Sequence, residues 1–464
     1  MNNKRVVVLG AGPGGYTAAF LAADRGMNVT LIDDNIKPGG VCLHKGCIPS
    51  KSLLHISRLI EETRNAGVFG VKFHPPEIDL DRVREWNKEV ISKMANGLKA
   101  LCKQRGIEFV SGRAYFLDGN SLSINNKNRI SFDHCIIATG SHPFCPPLFS
   151  NIGNHALTST TALDLENIPE RLLVIGGGYI GLELGTVYSS LGSQVTVVEM
   201  TSDLLAGVDR DLARPLIARL KSQFDNIYLN TQVEFCSIKN NQVIVKFNSG
   251  EENVCYDRIL LALGRKPNTL NLGLESTKVE ICDKGFIQVD EQFKTGEPSI
   301  FAIGDVIGGA MLAHKASAEG KKVVAVLADS SYSKKVNSIP AVVFTDPEIA
   351  WSGLTETAAI NDNIKIQVAK FPWGASGRAQ TLGRPDGVTK LIIDPKTEQI
   401  LGVGITGVGA GELIGEGALA IDKGLKVKDL ANLIHPHPTL SETLMECAES
   451  FYGEATHIYK RPRK

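Results

Sequence analysis

Cys42 and Cys47 are separated by four residues in Gly39-Gly40-Val41-Cys42-Leu43-His44-Lys45-Gly46-Cys47-Ile48-Pro49-Ser50-Lys51. Entered through two glycines, with Gly46 between the thiols and an apolar helical run opening at Ile48, the pair can close a small disulfide ring. It follows directly on a glycine-rich nucleotide-binding pattern, and a disulfide beside a nucleotide points to electron transfer rather than stapling. The competing reading is two unrelated buried thiols, the ordinary fate of intracellular cysteines. A second candidate lies far along the chain, in Ile434-His435-Pro436-His437-Pro438-Thr439-Leu440-Ser441-Glu442. Prolines flank His437 and cannot continue a helix across it, which predicts an exposed, stiff loop. His437 with Glu442 shortly after fits a general base and its orienter, against the alternative of a plain surface histidine.

The elements that must position these groups are legible around them. Arg5-Val6-Val7-Val8-Leu9 runs into Gly10-Ala11-Gly12-Pro13-Gly14-Gly15 and the small-residue helix from Thr17 to Ala23. Gly10 permits the tight turn, Gly12 lets backbone approach a pyrophosphate, and Gly15 lets helix and strand pack closely. A second strand, Val29-Thr30-Leu31-Ile32, delivers Asp33 as the acid for a ribose hydroxyl. At residue 171 the plan restarts: Arg171 to Ile175, then Gly176-Gly177-Gly178-Tyr179-Ile180-Gly181, then Val195-Thr196-Val197-Val198 with Glu199 at its end. Two such units predict two dinucleotides bound at once. Glu199 accepts bonds from both ribose hydroxyls but would repel a 2′-phosphate by roughly 1–4 kcal/mol at about 4 Å, so NAD is favoured over NADP.

Between and beyond the two units, helical segments are expected at Leu53 to Asn65 and Leu80 to Arg105, and short strands from Ile107 to Phe132. Pro143, Pro146 and Pro147 suit a crossing between domains. Asp305 ends a buried strand at Ser299 to Ile303, and Met311 to Ala316 opens a helix. An aspartate there can hold the sugar-like chain of a flavin, with the helix N-terminus stabilising charge on the reduced ring, or it can equally cap a helix. From about residue 340 the pattern changes to strands and turns, then an alanine-rich helix.

The chain of 464 residues exceeds one core and predicts three or four domains. Fifty basic residues balance fifty acidic ones, which gives no broad field for nucleic acid or an anionic membrane. With no leader pattern and no membrane-length apolar run, a cytoplasmic location is expected, or a matrix-like one where a leader has been removed. Nine cysteines, an odd number, make no extracellular disulfide framework, and the seven besides 42 and 47 are read as packing residues. The basic ending at 460–464 is read as a solvated tail.

Taken together, the chain resembles the flavin-containing pyridine nucleotide-disulfide oxidoreductases, in the branch that acts on dihydrolipoamide. The motifs carrying this are GAGPGG at 10–15, GGVCLHKGCIPSK at 39–51, ATGS at 138–141, GGGYIGLELG at 176–185, ALGRKPN at 262–268, AIGD at 302–305, MLAHKA at 311–316 and HPHPTLSE at 435–442. The resemblance implies an α/β fold with two Rossmann-like dinucleotide-binding domains and an α+β C-terminal dimerisation domain. It divides the chain into an FAD domain at 1–143, an NAD domain at 144–268, a central domain at 269–338 completing the FAD site, and an interface domain at 339–464. It assigns FAD to Gly10, Gly12, Gly14, Gly15, Asp33, Gly40, Lys51, Ala114, Ala138, Thr139, Gly140, Asp305, Met311, Leu312, Ala313 and His314. It assigns NAD to Gly176, Gly178, Tyr179, Ile180, Gly181, Glu183, Glu199 and Gly264, and pairs Lys51 with Glu183. By the same resemblance Cys42 exchanges with substrate, Cys47 touches the flavin, and His437 with Glu442 serves the partner subunit's dithiol in a homodimer. Implied partners are lipoyl domains of 2-oxo acid dehydrogenase or glycine cleavage complexes. Val41, His44 and the segment 371–379 depart from the common family form. Glutathione-type members carry arginines near the position of Glu199, and mercuric reductases end in adjacent cysteines; neither feature is present here.

Overall fold

The computed structural model describes residues 4–248, 250, 253–329 and 338–459, so the basic ending at 460–464 lies outside them. Apolar, β-branched β1 (Arg5–Leu9) lies between β2 (Asn28–Asp33) and His134–Ile137, parallel to both, so that Val8 faces Leu31 on one side and Ile136 on the other. A strand buried on both faces explains the unbroken run of valines. Glu108–Ser111 extends the sheet beyond β2, and Ile300–Ala302 closes its other edge from far along the chain. The second glycine unit builds a sheet of the same kind, parallel throughout, ordered Asn226–Tyr228, Gln194–Val198, Arg171–Ile175, Arg258–Leu261, Ala156–Thr158.

Helix α1 (Pro13–Asp24) covers the first sheet with Ala18, Ala19 and Ala22, all fully buried. These small residues let helix Ala313–Ala328 pack so closely that a Cβ on Gly320 would stand 2.7 Å from the Gly14 carbonyl oxygen. The C-terminal portion is a five-stranded antiparallel sheet, 341–343, 348–353, 400–407, 388–393 and 367–372 in that order, packed by helices Ala410–Asp422 and Glu442–Tyr452. The expected strands between 107 and 132 form, and the proline-rich crossing contains a two-stranded antiparallel ribbon, Ser141–Pro143 with Arg265–Pro267.

The helical run expected to open at Ile48 starts one residue earlier, as α3 (Cys47–Asn65), after the short α2 (Gly40–Lys45). Pro49 falls in its first turn, where a missing N–H costs nothing, so the proline does not delay the helix. Of the seven cysteines read as packing residues, Cys102, Cys135, Cys236 and Cys447 are buried, but Cys145 is exposed and Cys255 and Cys282 are half-buried. Cys145 sits in the exposed proline crossing and Cys255 on an edge strand, which packing alone does not protect.

The second unit is locked to the C-terminal sheet by Lys390, 1 % exposed, whose Nζ lies 2.6, 2.8 and 2.9 Å from Asp209, Asp211 and Glu356. Those three carboxylates converge as metal ligands would, but the ammonium occupies the point of convergence. Among the described residues no helix is long and apolar enough to cross a membrane.

Candidate functional site

A cleft of about 760 Å³ runs from the first glycine turn, past the two cysteines, to the start of the helix Tyr179–Ser190. Its walls include Gly10, Gly12, Gly14, Asp33, Gly40, Cys42, Cys47, Lys51, Ala114, Ala138, Thr139, Gly140, Asp305, Met311 and Ala313. Tyr179, Ile180 and Glu183, expected at the other nucleotide, line it too. Gly15, Leu312, His314, Gly176, Gly178, Gly181, Glu199, Gly264, His437 and Glu442 are not among the lining residues. Gly15 supports the loop from behind, where a Cβ would strike the Gly10 carbonyl oxygen at 1.8 Å. Leu312 precedes the first turn of its helix, and His314 turns to the Pro340 carbonyl at 2.6 Å.

The cradle is built for a backbone-hugging ligand. Gly10 has φ +95°, and a Cβ there would lie 2.3 Å from the Ala138 oxygen; one on Gly40, φ +59°, would lie 2.5 Å from the Gly12 Cα. Only glycine permits the two turns to approach so closely. Asp33 Oδ2 accepts from Ala11 N at 2.6 Å and Oδ1 accepts twice from Asn35, at 2.9 and 2.7 Å. With about four acceptor positions on a carboxylate, one remains on Oδ2 for a ribose hydroxyl. Asp305 sits in a single turn at Gly304–Ile307 and does not cap the helix that follows. Its Oδ2 instead accepts from Ser141 Oγ at 2.5 Å, and Arg265 donates from Nε to the same Ser141 Oγ at 2.7 Å. Ser141 and Arg265 were not foreseen as site residues, although both fall in the paired closing segments of the repeat.

Cys42 and Cys47 are free thiols in contact, one in α2 and the other opening α3. The Cys42 hydrogen bond draws the Cys47 thiol down from 9.0 to about 7; burial opposes this and the Lys51 ammonium assists. Cys42 moves the other way, because donating to Cys47 and burial both favour its protonated form. The N-terminus of α3 adds a partial positive charge at Cys47. Lys51, one turn along, pairs with Glu183 at 2.8 Å, and the buried Glu183 also accepts from Phe344 N at 2.9 Å.

The histidine loop lies elsewhere on the chain's own surface. His437 Nδ1 meets Glu442 Oε1 at 2.8 Å, while Glu442 Oε2 accepts from Thr439 N at 2.6 Å. Burial would raise the Glu442 carboxyl, but Thr439 N–H and His437 together hold it below the ordinary glutamate range. The His437 side chain is 70 % exposed, whereas that of His435 is 4 % exposed and bound to Glu416 at 3.0 Å. Of these two, His437 is the one open to another molecule. The chain thus brings the thiols together and the histidine and its carboxylate together, as two separate pairs.

The second glycine turn repeats the first at Gly176, φ +108°, with Ala262 in the place of Ala138. Glu199 Oε2 accepts from Gly177 N at 2.7 Å, and Oε1 from Thr201 N and Oγ1 at 2.8 and 2.9 Å. One acceptor position is left for ribose, where two bonds were expected.

Residues 4–320 match the pyridine nucleotide-disulphide oxidoreductase family, and residues 339–448 its dimerisation domain. The chain belongs to that family. It is 44% identical over 462 residues to a protein of Buchnera aphidicola subsp. Schizaphis graminum named dihydrolipoyl dehydrogenase, covering 98% of this chain and 97% of that one. A Vibrio parahaemolyticus protein of the same name is 41% identical over 460 residues, covering 98% and 97%. Among solved structures, the Cu(II) complex of the HOCl-induced flavoprotein disulfide reductase RclA from Escherichia coli superposes with a TM-score of 0.86 at 30% identity, over 97% of this chain and 100% of that one.

Proposed function

We propose that this protein oxidises protein-bound dihydrolipoamide to lipoamide and reduces NAD⁺ to NADH, with FAD held in the large cleft. The observation that carries the reading is the contacting pair Cys42 and Cys47 in the same cleft as the first glycine turn, with the Lys51–Glu183 pair beside it. The glycine cradle, the helix N-terminus at Ala313 and the Asp305 carboxylate fit a pyrophosphate, a flavin ring and a polyol chain respectively. The open turn at Gly178 and the spare lone pair on Glu199 fit NAD.

In the oxidised protein Cys42 and Cys47 form the disulfide. His437 donates from Nδ1 to Glu442, which leaves the lone pair on Nε2 to take a proton from a substrate thiol. The resulting thiolate attacks the Cys42 sulfur, forming a mixed disulfide and expelling Cys47 as a thiolate, the state its lowered pKa favours. The second substrate thiol then displaces Cys42, its proton passing to the departing Cys42 sulfur as cyclic lipoamide leaves, and His437 releases the first proton to solvent. FAD held by Gly10, Gly12, Asp33 and Asp305 would supply the two-electron chemistry that links the Cys42–Cys47 dithiol to hydride reduction of NAD⁺. The sum is dihydrolipoamide and NAD⁺ to lipoamide, NADH and a proton.

His437 acts on the dithiol of a second subunit, in a homodimer held by the dimerisation domain, and each active site is shared. This accounts for two pairs lying apart within one chain. Proposed domain limits are 1–143, 144–268, 269–338 and 339–464, the location cytoplasmic, and the partners lipoyl domains of 2-oxo acid dehydrogenase or glycine cleavage complexes. A steady-state assay of the flavin-loaded protein with free dihydrolipoamide, comparing NAD⁺ with NADP⁺, tests the reading. NAD-dependent turnover supports it; no turnover with flavin fully bound, or equal use of NADP⁺, contradicts it.

A further inference from the structure

We propose that Phe344 is a positioning residue for the dithiol: its ring holds the Lys51 ammonium beside Cys47, while its backbone N–H fixes the Glu183 carboxylate that shares that charge. The inference rests on Cys47 being the flavin-facing thiol. Lys51 Nζ stands 4.4 Å from the centre of the Phe344 ring and 2.8 Å from Glu183 Oε2, and Phe344 N donates to Glu183 Oε1 at 2.9 Å. The three residues come from three distant stretches, so their meeting fixes the C-terminal sheet against both glycine units.

Lysine is a flexible four-carbon stem ending in a compact charge, and an ammonium that is partly open to the cleft needs a second contact to stay in one place. An aromatic face supplies that contact without neutralising the charge. The groups facing Cys47 are Cys42 from α2, Lys51 from its own helix, Glu183 and Tyr179 from the helix after the second glycine turn, and Tyr16 from α1. Lys51 is the cation among them, and Phe344 is what the C-terminal sheet contributes. Two turns further along α3, Arg58 pairs with Glu348 at 2.8 Å, a second tether between the same helix and the same sheet that does not touch the thiols.

The test uses flavin-loaded protein carrying Cys42→Ser, with the long-wavelength absorbance of the Cys47 thiolate against the flavin followed from pH 5 to 10. Added Phe344→Leu or Phe344→Met, both keeping the backbone N–H, should raise the midpoint by about half to one pH unit, roughly a three- to tenfold change in proton affinity. Phe344→Tyr should restore the parent midpoint, and Arg58→Gln should leave it in place. A midpoint unmoved in whichever of the Leu and Met variants folds overturns the proposal. So does an equal shift with Arg58→Gln, which would mark general loosening of the sheet. Absence of the band in the Cys42→Ser parent instead removes the assignment of Cys47 on which the proposal stands.

Discussion

The two glycine turns share a backbone but not a setting. Each begins with a glycine at positive φ beneath an alanine carbonyl, 2.3 Å from a built Cβ at Gly10 and 2.5 Å at Gly176. Each ends in a carboxylate that binds back to the turn, Asp33 to Ala11 N and Glu199 to Gly177 N, leaving one acceptor position free. Around the first, the structure closes: Ala316 stands 3.1 Å from a Cβ on Gly14, and Gly12 meets Gly40 of the thiol segment. Around the second, a Cβ on Gly178 would meet nothing within 4 Å, and Tyr179 is 40 % exposed. One motif therefore stands once in an enclosed setting, suited to a retained ligand, and once in an open one, suited to an exchanging ligand. In the proposed reaction those are FAD and NAD.

Substitution at the paired glycines breaks the comparison most strongly. Gly10→Ala should yield colourless protein with flavin content near zero, whereas Gly176→Ala should remain yellow, still be reduced by dihydrolipoamide, and lose NAD-dependent turnover. Flavin-to-protein absorbance ratio and a reduction trace read both results. Loss of flavin in the second variant would show the two turns to be one site.

His437→Gln separates thiol chemistry from hydride chemistry. Reduction by dihydrolipoamide should slow by about 10²–10⁴, the usual weight of a general base, while reduction by NADH through the second turn stays at the parent rate in stopped-flow traces. Mixing this variant with inactive Cys42→Ser protein should regenerate active heterodimers if sites are shared; no recovered activity after verified subunit exchange would confine each site to one chain.

At Glu199 the effect is smaller. Glu199→Gln should raise NADPH use relative to NADH at least about fivefold, the factor that goes with roughly 1 kcal/mol of relieved repulsion, with flavin content unchanged. A ratio of kcat/KM values unaltered by the change would take the ribose-side acid out of cofactor choice.

The smallest signal is a pH midpoint. The Cys42 hydrogen bond and the Lys51 ammonium both draw the Cys47 thiol down from 9.0. With a hydroxyl donating in place of the Cys42 thiol, the Cys47 band in Cys42→Ser should be half-developed below pH 9, thiolate above the midpoint and protonated below it. A midpoint near 9 would mean that Lys51 and the hydroxyl at position 42 do nothing for this thiol.

Much of this was legible before any coordinates. Glycine spacing and a delayed acid are local patterns, so both turns, the strands that flank them and the stiff histidine loop follow from short stretches. What stayed hidden depends on distance along the chain. Ser141, Arg265 and Asp305 form one network across 164 residues, and no periodicity links a serine and an arginine that each open a short strand more than a hundred residues apart. Lys390, buried among Asp209, Asp211 and Glu356, reads in sequence as one more lysine in an apolar strand. The Lys51–Glu183 pair was anticipated through resemblance, not pattern, and the Phe344 ring completing it was not anticipated at all.

The most direct measurement is an anaerobic titration of the flavin-loaded protein with dihydrolipoamide, followed by visible absorbance and completed by adding NAD⁺. The account predicts a long-wavelength shoulder as the dithiol is reduced, discharged on addition of NAD⁺ with appearance of NADH. A flavin that ignores dihydrolipoamide but is reduced by NADPH would contradict it.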